Sequence, residues 1–131
     1  SFFHTLGLLC MEQMQAKTAQ LFTLPRATHP SIMRAMQAAL VSPGQANLLL
    51  MLHHAGMSER SFRRHFNEET GMTWHGWITQ ARLFHAATLL AEGQRVTDVA
   101  ASVGYTSLSA FAKAFTGLMG MSPTRFRGLQ A

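Results

Sequence analysis

The sequence predicts an all-α protein in which two helix-turn-helix subdomains are joined by a long connector helix. Three observations lead to this fold class. A segment of the chain repeats after 49 positions, apolar residues recur at helical spacing, and no run of alternating apolar and polar residues indicates a strand. At 131 residues the chain can bury one core or two small ones, and the repeat favours two subdomains of roughly 50 residues.

The repeat occupies residues 58–73 and 107–122. In each copy a Ser can cap the start of a helix, two Phe lie one helical turn apart, and a Gly can end the helix; another Gly precedes the copy. The paired positions are Ser58 with Ser107, Phe62 with Phe111, Phe66 with Phe115, Gly71 with Gly120, and Gly56 with Gly104. A short helix docked through a turn on the helix before it is the outline of a helix-turn-helix. The repeat therefore predicts a homeodomain-like tandem that reads DNA.

The part of the chain before the repeat divides into a helix and a linker. Residues 3–22 carry apolar side chains close to helical spacing, which predicts an amphipathic helix. Pro25 and Pro30 bracket the linker, because a short stretch between two prolines cannot continue the helix. We place a domain boundary after residue 30. The chain begins without Met and in mid-pattern, which indicates the C-terminal part of a longer polypeptide.

The first unit is assigned to residues 31–72. Ser31 can cap its first helix, which ends at residues 42–44, where Pro and Gly follow a Ser. A second helix is expected over residues 45–54. Ser58 then opens the first reading helix, residues 58–69, which is the helix expected to enter the DNA groove.

The connector is assigned to residues 73–92 and the second unit to residues 93–131. Thr73 can cap a helix over residues 74–91, and at about 1.5 Å per residue it would span roughly 27 Å, somewhat short of the ~34 Å groove repeat of B-DNA. The second unit begins with a helix from Thr97. Ser107 opens the second reading helix, residues 107–118, and Pro123 starts a last short helix.

The charge of the chain favours a polyanionic partner. Lys and Arg number 11 against 6 acids, for a net charge of +5. Guanidinium groups, which predominate among these cations, suit bidentate contact with phosphate or guanine better than ammonium groups do. Only 13% of the residues are charged, so the positive charge comes from a few placed arginines rather than from a basic tail.

Several other classes of protein fit the sequence poorly. A single cysteine excludes an intramolecular disulfide framework and fits the cytoplasm, and the apolar stretches are too short to cross a membrane. The seven histidines lack the spacing of metal ligands. The six acids are scattered and no Gly-rich phosphate loop is present, so we expect neither an enzyme nor a cofactor.

The combination of motifs resembles the AraC/XylS family of bacterial transcription regulators over about residues 31–128. The matching segments are residues 56–66, residues 69–72, residues 80–82, Leu89 with Leu90, Val99 with Ala100, residues 103–105, Ser107, Phe111, Phe115, Gly120, Ser122 with Pro123, and residues 125–127. The resemblance implies that the two reading helices enter successive major grooves on one face of promoter DNA. It also implies that residues 1–30 are the remnant of an N-terminal effector or dimerisation domain with its linker.

Double-stranded promoter DNA is therefore the expected partner. RNA polymerase and a second copy of the chain, joined through the missing domain, are further candidates that the resemblance allows. Two alternatives stay open at this point. One is a helical module that binds other proteins, and the other is the DNA-binding part of a DNA-repair protein in which Cys10 is reactive.

The candidate DNA-binding residues of the first unit lie on the outward arc of the first reading helix, opposite the paired Phe. They are Arg60, Arg63, Arg64 and Asn67. Position and resemblance indicate that Arg60 and Arg64 read bases, while Arg63 serves either bases or phosphates. The alternative is that these arginines are solvated surface charges partnered by neighbouring glutamates, which are Glu59, Glu68 and Glu69.

The second reading helix is poorer in long polar groups, so we expect its direct readout to be weak. Leu108, Ala110, Ala112 and Ala114 occupy it, leaving Ser107, Ser109 and Lys113 to touch DNA. Arg125 and Arg127, near the C terminus, are candidates for a clamp on the DNA backbone. Arg82 on the connector is expected to anchor structure through an acid such as Glu69.

Overall fold

The computed structural model describes residue 27 and residues 29–129, and within these residues every regular element is helical. The helices are α1 (Pro30–Val41), a 3-10 turn (Pro43–Gln45), α2 (Leu48–Ala55), α3 (Glu59–Thr70), α4 (Trp74–Ala91), α5 (Val96–Ser102), α6 (Leu108–Met119) and α7 (Pro123–Gly128). The all-α prediction is confirmed, with α2–α3 and α5–α6 as the helix-turn-helix pairs and α4 as the connector. The helix expected over residues 3–22 lies outside the described residues, as does most of the linker.

Four helices start where the sequence predicts them. Each is capped by a hydroxyl oxygen that accepts a hydrogen bond from the backbone N–H three residues later, which satisfies one of the donors left free at a helix start. The capping residues are Ser58 (3.3 Å), Thr73 (3.0 Å), Ser107 (3.2 Å) and Ser122 (3.2 Å). The two reading helices, α3 and α6, therefore begin in the same way.

Three helix starts differ from the prediction, and the smallest difference is at α5, which begins at Val96 instead of Thr97. The cap of α1 is His29, whose Nδ1 accepts a hydrogen bond from the Ser31 N–H at 3.2 Å, and not Ser31 itself. Pro30 then fits the first turn because its missing N–H would have no partner inside the helix. The second helix begins at Leu48 instead of residue 45, since Asn47 caps it through the Leu50 N–H at 2.9 Å.

The first core is built from aromatic side chains of α3 and the start of α4. Phe62 and Phe66 are fully buried, and their ring centroids lie 5.6 Å and 5.7 Å from that of Trp74. Trp77 lies 5.8 Å from Phe66. These edge contacts add to the area that the rings bury. They hold the buried face of α3 against α4, which leaves the opposite face of α3 exposed.

The second core repeats this arrangement on the later turns of α4. Phe111 and Phe115 are fully buried, and Phe126 of α7 lies 5.5 Å from Phe115. The connector supplies the side chains that pack with them, which are Leu83, Ala86, Ala87 and Leu90. Because α4 contributes to both cores, it is a shared structural element rather than a free spacer. In the described part of the chain, no helix is both long and apolar enough to cross a membrane.

Arg82 ties α4 to the first unit through backbone carbonyl groups. Its Nε donates to the Pro43 oxygen at 2.9 Å, and its Nη2 donates to the Ala46 oxygen. The expected ion pair with Glu69 is wrong: the Glu69 carboxylate accepts instead from the His29 N–H at 3.4 Å. The planar fork of a guanidinium suits two carbonyl oxygens of one turn, which explains why Arg82 serves the turn and not an acid.

Candidate nucleic-acid interface

The first reading helix presents a polar arc to solvent. With Phe62 and Phe66 buried, the side chains on the opposite side of α3 are exposed, as the helical spacing predicts. The four candidate residues all lie in this exposed set: Arg60, Arg63, Arg64 and Asn67. The arc therefore brings together three guanidinium groups and one amide, the side chains best suited to bidentate contacts with guanine and adenine.

The arginines of α3 differ in their partners. Arg63 Nε lies 3.1 Å from Glu59 Oε1, one turn earlier, so this side chain forms an exposed ion pair. Among the residues that the structure describes, no acid lies within ion-pair distance of Arg60 or Arg64. The interpretation as partnered surface charge therefore applies to Arg63 and does not apply to Arg60 and Arg64.

The other acids of α3 face the start of α1. Glu68 Oε2 lies 3.8 Å from His65 Nδ1, and the His65 ring lies 5.1 Å from the His29 ring. Glu69 bonds the His29 backbone, as described above. These contacts place the acids at the flank where α3 meets the entry of the chain into the first unit. Arg60 and Arg64 consequently remain available to an anion.

The second reading helix presents fewer charges. Ser107 is occupied as the N-cap of α6, while Ser109 and Lys113 are exposed. Lys113 has no ion-pair partner within residues 29–129. Leu108, the first residue of α6, is 47% exposed, which the sequence alone did not reveal because an apolar residue at that place could equally have joined the core.

Arg125 and Arg127 occupy the last turn of α7, and both are exposed. Arg127 donates from Nε (3.2 Å) and Nη2 (2.9 Å) to the Gly93 oxygen, which joins α7 to the turn after the connector. Arg125 has no ion pair with any described residue. The two candidates for a backbone clamp thus differ, since the Arg127 guanidinium already binds the protein.

A shallow cleft of about 390 Å³ lies between α4 and α6. Its lining is mainly apolar, and His75 is its titratable side chain. Within the described residues, His, Cys, Asp and Glu form no group of three that could hold a metal ion.

Comparison with known sequences gives a consistent match. A family model described as a helix-turn-helix domain matches residues 51–128. The transcriptional activator RhaR of Klebsiella pneumoniae is 30% identical over 126 residues, which cover 95% of this chain and 44% of that protein. The transcriptional regulator NimR of Escherichia coli K12 is 30% identical over 118 residues, covering 88% of this chain and 42% of that protein. The chain therefore spans less than half the length of these relatives.

Solved structures share the architecture. One is the C-terminal domain of AraT, a response regulator from Geobacillus stearothermophilus, with a TM-score of 0.70 at 27% identity. The alignment covers 79% of this chain and 87% of the AraT domain. The DNA-binding domain of AdpA, solved in complex with a target DNA, has a TM-score of 0.67 at 28% identity, covering 74% and 89%. A regulator from Chromobacterium violaceum with an AraC-type DNA-binding domain shares the fold at a TM-score of 0.70 and 18% identity, covering 78% and 93%.

Proposed function

The chain belongs to the family of AraC-type helix-turn-helix DNA-binding domains, and we propose that it reads promoter DNA through two successive major grooves as part of a transcription regulator. In this proposal α3 enters one groove and α6 enters the next, with α4 setting the distance between them. Two reading helices joined by one connector helix match the geometry of a DNA site whose two halves lie one helical turn apart.

The observation that carries the proposal is the exposed arc of α3. Arg60 and Arg64 extend from a helix whose opposite face is locked into an aromatic core, and no acid of the described chain neutralises them. Each can contact guanine O6 and N7 in a bidentate pair, which is worth about 1 to 3 kcal/mol of discrimination. Asn67, one turn after Arg63, can pair in the same way with adenine N6 and N7.

The remaining candidates contact either the DNA backbone or the second groove. Arg63 is assigned to a phosphate and not to a base, and this contact requires the side chain to leave its exposed ion pair with Glu59, which costs little. Ser109 and Lys113 contact the second groove. Arg125 binds a phosphate beside α6, and Arg127 adds its charge there while it holds the Gly93 turn.

The activity of the whole protein is also part of the proposal. Curated relatives carry names that describe a transcriptional activator and a transcriptional regulator, and both are more than twice as long as this chain. We propose that residues 31–131 form the DNA-binding domain, and that residues 1–30 lead into it from an effector or dimerisation domain. A homodimer formed through that domain, contact with RNA polymerase and a cytoplasmic location belong to the same proposal.

Selection of binding sites from random double-stranded DNA tests this function. The chain should enrich an asymmetric site with two conserved blocks about one helical turn apart. The double variant Arg60→Ala with Arg64→Ala should lose the first block, whereas Arg34→Ala, which removes an exposed arginine of α1, should retain both. A chain that enriches no sequence at any salt concentration would contradict the proposal.

A further inference from the structure

The first residue of α6 is an exposed leucine on the groove-facing unit. Leu108 is 47% exposed, and the core beneath it is complete without it, since Phe111 and Phe115 are fully buried. Exposing a large apolar side chain forgoes part of the stabilisation that its burial would bring. A leucine in this position therefore contributes little to folding. Its apolar surface can instead be buried when a partner binds.

The repeat shows what Leu108 replaces. In the 49-residue register it corresponds to Glu59, while Ser109 corresponds to Arg60 and Lys113 to Arg64. The first reading helix thus begins with charged groups, and the second begins with an aliphatic one. The two helices share a serine cap and a buried pair of Phe residues, but the exposed side chains in their first turns differ.

Charge identifies the partner as nucleic acid rather than an apolar protein surface. Residues 99–131 contain no acid, and they carry Lys113, Arg125 and Arg127. Lys113 lies on the same helix as Leu108, Arg125 lies on the helix packed against it, and neither has an ion pair with any described residue, which favours a negatively charged partner for this unit. DNA can bury Leu108 and neutralise these cations, because its phosphates border the groove that holds the bases.

In the major groove the aliphatic feature of a base pair is the C5 methyl group of thymine. Leu108 has no donor or acceptor with which to recognise any other base edge. We propose that Leu108 makes the second reading helix select thymine, by packing against the C5 methyl group of one base in the half-site that α6 contacts. This inference rests on the proposed function and specifies the base preference of its second half.

The test uses the chain of residues 1–131 and the site obtained by selection. Each conserved thymine of the α6 half-site is replaced in turn by deoxyuridine, which removes the methyl group and keeps every hydrogen-bonding group of the base. At one position the Kd should rise about fourfold, the value expected for one buried methyl group. Cytosine at that position should bind more weakly than 5-methylcytosine.

Protein variants assign the effect to the side chain. Leu108→Ala should bind thymine and deoxyuridine sites equally, because the contact that distinguishes them is gone. Val41→Ala, at an 87% exposed position at the end of α1, should keep the difference. The deoxyuridine series uses the unmodified protein, so it does not depend on the folding of any variant.

Three outcomes would overturn the inference. The first is a selected α6 half-site without a conserved thymine. The second is a Kd unchanged by deoxyuridine at every thymine, and the third is a methyl dependence that persists in Leu108→Ala. Each would leave the proposed function standing, because a specific site would still have been selected. Failure to select any site would instead remove the proposed function together with this inference.

Discussion

Gly44 lies so close to Ser102 that a Cβ atom on Gly44 would overlap the carbonyl oxygen of Ser102. Gly44 belongs to the 3-10 turn of the first unit and Ser102 ends α5 of the second, so the backbones of the two units touch directly. Gly104, at φ +90°, faces the same turn, and a Cβ there would lie 2.8 Å from the Gly44 oxygen. Only residues without a side chain permit this approach.

Gly44→Ala should force the two units apart. Accommodating an extra methyl group in a closed contact typically costs about 1 to 3 kcal/mol. We expect a lower melting temperature and weaker binding to the two-groove site, with partial recovery when one base pair is inserted between the half-sites. The matched control is Gly128→Ala, since no atom lies within 4 Å of a Cβ at that position. Wild-type melting and affinity in Gly44→Ala would show that the junction does not set the spacing.

Arg82→Lys should destabilise the fold although it keeps the charge. A lysine ammonium cannot reproduce the fork that donates to both Pro43 and Ala46, and hydrogen bonds from charged groups are worth about 1.5 to 3 kcal/mol. We expect a loss in this range in the free energy of unfolding measured with urea. Arg95→Lys, which alters an exposed ion pair with Asp98, should lose less than about 1 kcal/mol. Equal losses in the two variants would argue against the carbonyl clamp.

Arg64→Ala and Arg127→Ala should weaken DNA binding in different ways. Arg64→Ala should lower affinity for the selected site and relax base preference in its first block, because a base-reading contact is removed. Arg127→Ala should weaken all sequences alike and reduce the slope of log K against log salt by about one. Because this variant also loses the hydrogen bonds to the Gly93 oxygen, its melting temperature is measured alongside. Titrations of specific and random DNA at several salt concentrations separate the two. An equal loss on both DNAs for Arg64→Ala would rule out base reading by that residue.

Phe62→Ala and Phe111→Ala should each destabilise the chain by roughly 3 to 5 kcal/mol in the absence of DNA. Both rings are fully buried, and each contacts a second aromatic ring of its own core. Thermal unfolding followed by circular dichroism would report the loss. Leu49→Ala, at a 79% exposed position, should change stability by no more than about 0.5 kcal/mol. A melting temperature unchanged in either Phe variant would remove that residue from the core.

Tyr105 should make stability depend on pH in the alkaline range. Burial raises the pKa of Tyr105 above its usual value of about 10, and the positive charge of Arg82 partly offsets this. Because the folded state holds the proton more tightly, the associated stability is present below the unfolded pKa and is lost as pH rises through the folded pKa. Tyr105→Phe should lack this component of the pH dependence of the melting temperature.

The same pKa can be measured directly. Tyr105 is the single tyrosine of the chain, so tyrosinate absorbance titrates this group alone. The titration midpoint should lie above that of the urea-unfolded chain. A midpoint equal to the unfolded value would contradict the effect of burial.

Much of the fold could be predicted because its signals are local. A helix start depends on a Ser or Thr and on an amide three residues later, and a buried helix face depends on side chains three or four positions apart. Ser58, Ser107, Phe62 and Phe111 therefore occupy their predicted places. The exposure of the candidate arginines follows from the same spacing.

The errors arise where a second residue, either a neighbour or one distant in the chain, takes the place of the expected partner. Ser31 is a good cap by sequence, yet His29 takes the position with Pro30 behind it. Glu69 was the expected partner of Arg82, but the turn at residues 43–46 lies nearer in the fold and offers two carbonyl oxygens. The preference of Pro for the first turn is a local signal for the first outcome, whereas the second depends on the tertiary fold.

The sequence by itself determined the number of units, their helices and the two faces of each reading helix, because these depend on spacing along the chain. Only the tertiary structure decided that Arg82 holds the turn at residues 43–46, that Arg127 holds Gly93, and that Leu108 stays outside the core. The two arginines donate to carbonyl groups 34 to 39 residues away in the chain, which the packing of the helices brings within hydrogen-bond distance. The two reading helices therefore differ in their exposed side chains because of packing as well as composition.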